Sequence, residues 1–426
     1  MLFLIILAGL VLLLLTGIPV FAGLALFATS IIVAIEGNLG NLGEIVFGKL
    51  NTYLLVAIPL FVLMAHFMIR GMIVDDLYRT VHALLRHLPG GLAVATVAAC
   101  TIFAAISGSS VATVLTIGSV AIPQMLRYGY DRRAAYGVVG AGGTLGILIP
   151  PSGPMILYAV VSDTSIGALF MAGLVPGLMV AALFAVYAML SAKGQSAQRL
   201  PRASLGEASA AIRKSAWALS LPPLILGGMY FGVFTATEAA GVGALAALLI
   251  ATLVYRTLGL RGVWESARDT ARTCAMLFMI LVGAALFGHV LTKLRIPAQM
   301  VELVTAHDVS QAVFLLALMG LVFVLGMFLE TISIILITTP VVLPVLAALQ
   351  ISPVWYGVLL MIALEMALVT PPVGMNLFAI KGITRAPIGD IIVGILPYVV
   401  LLLVGLGLVL AFPQIALWLP GTMAYR

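Results

Sequence analysis

The stretch Gly143-Thr144-Leu145-Gly146-Ile147-Leu148-Ile149-Pro150-Pro151-Ser152 decides the fold. It is apolar enough for the interior of a helix, yet it ends in two adjacent prolines. Proline carries no N–H, and its ring clashes with the carbonyl one turn back. A helix through this stretch therefore loses the bonds that residues 146 and 147 would accept. A second such stretch, Thr370-Pro371-Pro372-Val373-Gly374-Met375-Asn376, lies 221 residues further on. The same offset carries Pro123 onto Pro344, Pro176 onto Pro397 and Thr16 onto Thr237. With one gap, Ile166-Gly167 matches Ile388-Gly389, and Gly153 and Gly374 follow the two proline pairs. Such coincidence marks an internal repeat. The halves are 1–200 and 221–426, joined by a basic cytoplasmic linker at 201–220 that suits a helix on the membrane surface.

The surroundings of both breaks are lipid-soluble. Of the 426 residues, 63% are hydrophobic and only 8% charged, which is too little charge to cover a soluble protein of this length. A spanning helix needs about 20 apolar residues. Candidate segments lie at about 2–16, 18–35, 50–70, 92–126, 135–161 and 166–191 in the first half. The second half offers about 221–235, 238–255, 271–291, 313–349, 355–380 and 389–412. The segments 92–126 and 313–349 are too long for a straight helix across a hydrocarbon core of about 30 Å, at about 1.5 Å per residue. Each is interrupted by polar or flexible residues, Ser107 through Ser110 in one and Gly326 through Ser333 in the other. Each reads as a re-entrant hairpin with its tip at membrane depth.

Hairpins that do not cross leave five crossings per half, and an odd number inverts the second half. Placing both termini on the same outer side puts 17 of the 21 Lys and Arg on the opposite face, which is then cytoplasmic. The formal charge of +6 thus reads as loop chemistry and not as a nucleic-acid footprint. The fold expected is an all-α polytopic membrane protein of two inverted repeats. The apolar N-terminus reads as a retained helix and not as a signal peptide. Cys100 and Cys274 lie in apolar stretches without metal-ligand spacing. Nothing matches a P-loop, a metal cluster or a nucleophilic triad, so the chain is not read as an enzyme.

The freed carbonyls are costly in hydrocarbon unless something binds them. One break alone reads equally well as a kink repaired by water or a hydroxyl. Two matched breaks, each facing a hydroxyl-bearing hairpin tip, favour a small hard cation such as Na⁺. Ser107-Gly108-Ser109-Ser110 faces the first break, and Glu330-Thr331-Ile332-Ser333 the second. Helix N-termini at the tips and after the breaks suit a carboxylate between them. The residues assigned to Na⁺ are Ser107, Gly108, Ser109, Ser110, Gly146 and Pro150, then Gly326, Thr331, Ser333, Thr370, Gly374 and Met375. Those assigned to substrate are Ser110, Thr113, Pro151, Ser152, Glu330, Pro372 and Asn376. Glu330 is read as functional and Glu365 as a neutral, hydrogen-bonded packing residue. His66 and His289 read as interfacial or packing residues, and Asp163 and Asp390 as helix N-caps.

These residues resemble the large membrane subunit (DctM-like) of the tripartite ATP-independent periplasmic, or TRAP, transporters. The resemblance rests on Ser107 through Thr113, Gly143 through Ser152 and Thr370 through Phe378, and it spans essentially the whole chain. It implies an elevator-type mechanism with transport and scaffold domains, and Na⁺-driven uptake of a carboxylate such as a C4-dicarboxylate, sialic acid or another sugar acid. It also implies a bacterial inner-membrane protein, a separate small subunit of four helices, a periplasmic substrate-binding protein, and no cofactor beyond Na⁺. The architecture is shared across the broader ion-transporter superfamily. A stand-alone dicarboxylate symporter or ion antiporter is the alternative.

Overall fold

A computed structural model describes residues 16–192 and 201–423, together with residues 6, 8–10, 12 and 13. The expected span at 2–16 therefore lies largely outside the described residues. Those described form helices and connecting turns, with no strand among them. Among the described residues, seven helices are long and apolar enough to cross a membrane.

The first half contains α1 (Val20–Glu36), α2 (Leu42–Leu50), α3 (Ala57–Arg70) and α4 (Ile73–Leu85). These are followed by α5 (Gly91–Ser107), α6 (Ser110–Arg127), α7 (Arg132–Thr144), α8 (Gly153–Ser162) and α9 (Ile166–Ser191). Then come α10 (Leu205–Tyr230), α11 (Ala236–Leu249), α12 (Leu260–Lys293) and α13 (Ile296–Ala306). The chain closes with α14 (Gln311–Gly326), α15 (Thr331–Ala348), α16 (Pro353–Leu368), α17 (Met375–Thr384), α18 (Ile388–Ala411) and α19 (Gln414–Gly421). Element for element, α4 through α9 recur as α13 through α18. The helices α6 and α7 begin at 110 and 132, their counterparts α15 and α16 at 331 and 353.

Two groups emerge from the packing. In one, α12 lies against α1 and α3, and α11 against α3. In the other, the halves exchange partners. Helix α8, which follows the first break, packs on α15 of the second hairpin, while α17, which follows the second break, packs on α6 of the first. Each helix after a break thus packs on the other half's hairpin.

The structure departs from the sequence reading in several places. The linker at 201–220 and the segment after it are one helix, α10, which a capping box of Ser204 and Glu207 starts and which runs through Pro222 and Pro223. The short helices α2, α4 and α13 occupy stretches read only as connections. Asp163 does not cap α9: it ends α8 in the left-handed conformation at φ 53°, and Ser165 is the N-cap, accepting from the Ala168 N–H at 3.2 Å. Asp390 sits in the first turn of α18 and pairs with Arg133 at 2.8 Å. His289, read as interfacial or packing, lies near the end of α12 and joins it to α1 through Glu36 at 2.9 Å, with Lys293 at 3.1 Å from the same carboxylate.

Candidate functional site

Both proline pairs end helices. Helix α7 stops at Thr144 and α8 starts at Gly153; α16 stops at Leu368 and α17 starts at Met375. Both Pro150–Pro151 and Pro371–Pro372 are cis. In a continuous helix, the carbonyls of Gly146 and Ile147 would accept from residues 150 and 151, and those of Ala367 and Leu368 from 371 and 372. The buried Ser152 hydroxyl donates to Ile147 O at 2.6 Å. Thr370 N–H donates to Ala367 O at 3.3 Å. Nothing among the described residues donates to Gly146 O or Leu368 O. Of the two carbonyls at each break that the proline positions would have bonded, one is therefore left without a donor, and a buried carbonyl without one costs roughly 1–3 kcal/mol.

The hairpin tips close on these breaks. Helix α5 ends at Gly108, which adopts φ 59°, and a Cβ there would strike Pro151 O. Only glycine combines that conformation with so close an approach. Gly146 lies equally close to the returning tip, where a Cβ would stand 2.7 Å from Ser109 O and 2.8 Å from Ser110 N. In the second half a Cβ on Gly326 would strike the Ala367 methyl, and Val373 N–H donates to Met327 O at 3.2 Å. Each tip then starts a helix toward the site. Ser109 caps α6, accepting from Ala112 N–H at 3.4 Å, and Thr113 donates to Ser109 O at 2.8 Å. Glu330 is the N-cap residue of α15, and its carboxylate accepts from Ser333 Oγ at 3.3 Å.

One cavity of about 340 Å³ lies between the two tips. Ser107, Gly108, Ser109, Ser110, Pro151, Glu330, Thr331 and Met375 line it. The other assigned residues stand behind this wall. Gly146, Ser152, Gly326 and Gly374 hold the tips and breaks in place; Thr113 and Thr370 bond backbone carbonyls, the latter Met366 O at 2.6 Å. Pro150 and Pro372 belong to the breaks themselves. Asn376 is fully buried, donating to Ser110 Oγ at 2.8 Å and Gly140 O at 3.2 Å. It ties the second break to the first tip and has little capacity left for a ligand.

The sequence reading did not place His66, Thr273 and Met276 here, yet they line the same cavity from α3 and α12. No motif marks them, because they reach the site from the other packing group. The lining thus holds one carboxylate and one imidazole, with no lysine or arginine. Glu365 is fully buried in α16, but neither of its oxygens has a hydrogen-bond partner, so the packing role expected for it lacks the expected bonds.

Known proteins resemble this chain. A family model described as "Tripartite ATP-independent periplasmic transporter, DctM component" matches residues 7–415. The C4-dicarboxylate TRAP transporter large permease protein DctM of Pseudomonas aeruginosa is 42% identical over 369 residues, 87% of this chain and 86% of that protein. The ectoine TRAP transporter large permease protein TeaC of Halomonas elongata is 35% identical over 417 residues, 97% of each. Among solved structures, the YdaH transporter of Alcanivorax borkumensis superimposes with a TM-score of 0.67 over 88% of both chains, at 16% identity. That last likeness concerns the fold.

Proposed function

This chain belongs to the DctM component family of tripartite ATP-independent periplasmic transporters, and on that premise we propose that it is the permease subunit of a Na⁺-coupled system taking up a carboxylate solute. The observation that carries the coupling is the pair of unpartnered carbonyls, Gly146 O and Leu368 O, behind one cavity without a lysine or arginine in its wall. A carboxylate entering beside Glu330 needs positive charge. The N-termini of α6 and α15 offer partial charge only. Two Na⁺ ions, each held by a freed carbonyl and nearby hydroxyls, supply the rest. Both sites are built from broken helices, so ion binding and solute binding share one cavity and become mutually dependent.

The working motion is a displacement of the hairpin-and-break helices against α1, α3, α11 and α12. By the positive-inside rule we assign the Arg70 ends of α3 and α12, rich in basic residues, to the cytoplasmic face, and with them both termini to the periplasm of a bacterial inner membrane. A separate small membrane subunit and a periplasmic binding protein complete the system, and the binding protein selects the solute. The carboxylate class follows the C4-dicarboxylate name of the Pseudomonas aeruginosa relative.

Reconstitution tests this reading. Liposomes holding this chain and the small subunit, supplied with the loaded binding protein, should accumulate solute only under an inward Na⁺ gradient. Equal accumulation with choline replacing Na⁺ would overturn the coupling. Accumulation without any binding protein would favour the stand-alone carrier.

A further inference from the structure

Lys49, at the end of α2, donates to Val160 O at 3.3 Å, in the last turn of α8. The terminal carbonyls of a helix carry partial negative charge, which a cation stabilises. Ala159 O already accepts from the N–H groups of Asp163 and Thr164, which leaves Val160 O for the ammonium. Burial pushes the Lys49 pKa down, and the Asp163 carboxylate nearby opposes that shift by favouring the ammonium.

This contact has a singular position. Among the described residues it is the one hydrogen bond from α1, α2, α3, α11 or α12 to the hairpin-and-break helices α5–α8 and α14–α17. The rest of that boundary packs without such bonds, so helices can slide there without losing them. A second cavity of about 270 Å³ adjoins the contact, lined by Lys49, Val161, Leu281, Gly288, Leu336 and Pro340. It lies among α2, α8, α12 and α15. The first cavity meets α12 at Thr273, Met276 and Leu277; the second meets it between Leu281 and Thr292. At about 1.5 Å per residue, the two open on different levels of one continuous helix.

We propose that Lys49 is a latch: its bond to the C-terminus of α8 holds the hairpin-and-break unit in the arrangement seen here, with the solute cavity beside the Arg70 end of α3, and the bond must break before that unit moves toward the Lys49 end. The proposal rests on the reading above that this unit is the mobile one. The second cavity gives α8 and α15 room to leave their present level. An ammonium–carbonyl bond suits the task, because it is directional and adds no permanent ion pair that would trap the state.

Accessibility of the solute cavity from each side of the membrane tests the latch. Cys100 and Cys274 are replaced by alanine, and Ala112→Cys places a single thiol in the cavity wall. The complex with its small subunit is labelled with a membrane-impermeant maleimide in right-side-out and inside-out vesicles. Lys49→Met should raise the ratio of outside to inside labelling about tenfold, the order expected when one charge-assisted hydrogen bond is lost from one of two states. Lys49→Arg should keep the parent ratio. Asp163→Asn should shift it the same way by a smaller factor, and it carries the test if Lys49→Met does not assemble. A ratio that answers to Na⁺ but is identical in the parent, Lys49→Met and Asp163→Asn overturns the latch and leaves the mobile unit standing. A thiol reached from one side only, in every variant and ion condition, overturns both.

Discussion

The two helix breaks are built alike and finished differently. At the first, the carbonyl of Ile147 is satisfied by the Ser152 hydroxyl, and Gly146 O is left free. At the second, valine stands where Ser152 stood, so Leu368 O is left free and the bond moves one carbonyl back, to Ala367 O. The tips differ in the same manner. Ser109 caps α6 with a hydroxyl, while Glu330 brings a carboxylate to the start of α15. A duplicated scaffold thus leaves one of the two proline-facing carbonyls unpartnered at each break, displaced by one residue, with different charge beside it. If each carbonyl holds an ion, the two sites should differ in affinity.

Steric closure separates the breaks most strongly. Gly146→Ala drives a methyl into the Ser109–Ser110 backbone, which no side-chain change can relieve. It should cost about 1–3 kcal/mol and lower the thermal unfolding midpoint of the purified protein. Gly326→Ala meets only the Ala367 methyl, so the double variant Gly326→Ala/Ala367→Gly should regain most of the loss. Equal losses without rescue in the second half would make the two closures equivalent.

Next in size is the tie between the breaks. Asn376 occupies the position that Met155 holds in the first half, and only Asn376 crosses to the other half's tip. Asn376→Leu leaves the buried Ser110 hydroxyl and Gly140 O short of a donor, at about 1–3 kcal/mol. Urea unfolding of the detergent-solubilised protein should show it. Met155→Leu should change little, since volume-conserving apolar exchanges are tolerated.

Much of this was legible in the chain. The proline pairs, their common offset and the polar tips located both breaks, because a missing N–H is a property of one residue. Yet Pro222 and Pro223 lie inside α10 without ending it, and Pro223 is exposed. Adjacent prolines alone therefore do not end a helix. The pairs that end one are those with a hairpin tip packed against them, and that packing joins residues far apart in sequence. For the same reason the reading missed His66 and gave Asn376 to the solute. Ser110 and Asn376 are 266 positions apart, and no local pattern reports their bond. The short helices α4 and α13 were illegible for another reason: each is too brief and polar to register as a span, and only the recurrence of one as the other reveals them.

The smallest effect tests the comparison most directly. Ser152→Ala removes the donor to Ile147 O and gives the first break a second free carbonyl beside Gly146 O. Val373→Ser does the reverse, placing a hydroxyl where Ser152 stands and within sequence reach of Leu368 O. If freed carbonyls hold the coupling ions, Val373→Ser should weaken Na⁺ activation of uptake severalfold, because a hydroxyl then competes for the oxygen that the ion uses. Ser152→Ala should destabilise the protein by about 1 kcal/mol yet leave Na⁺ half-saturation near the parent value or lower. The two substitutions thus act on different quantities, Val373→Ser on ion dependence and Ser152→Ala on stability. A Val373→Ser variant with unchanged Na⁺ half-saturation would remove Leu368 O from the ion site, and the asymmetry of the breaks would then concern folding alone.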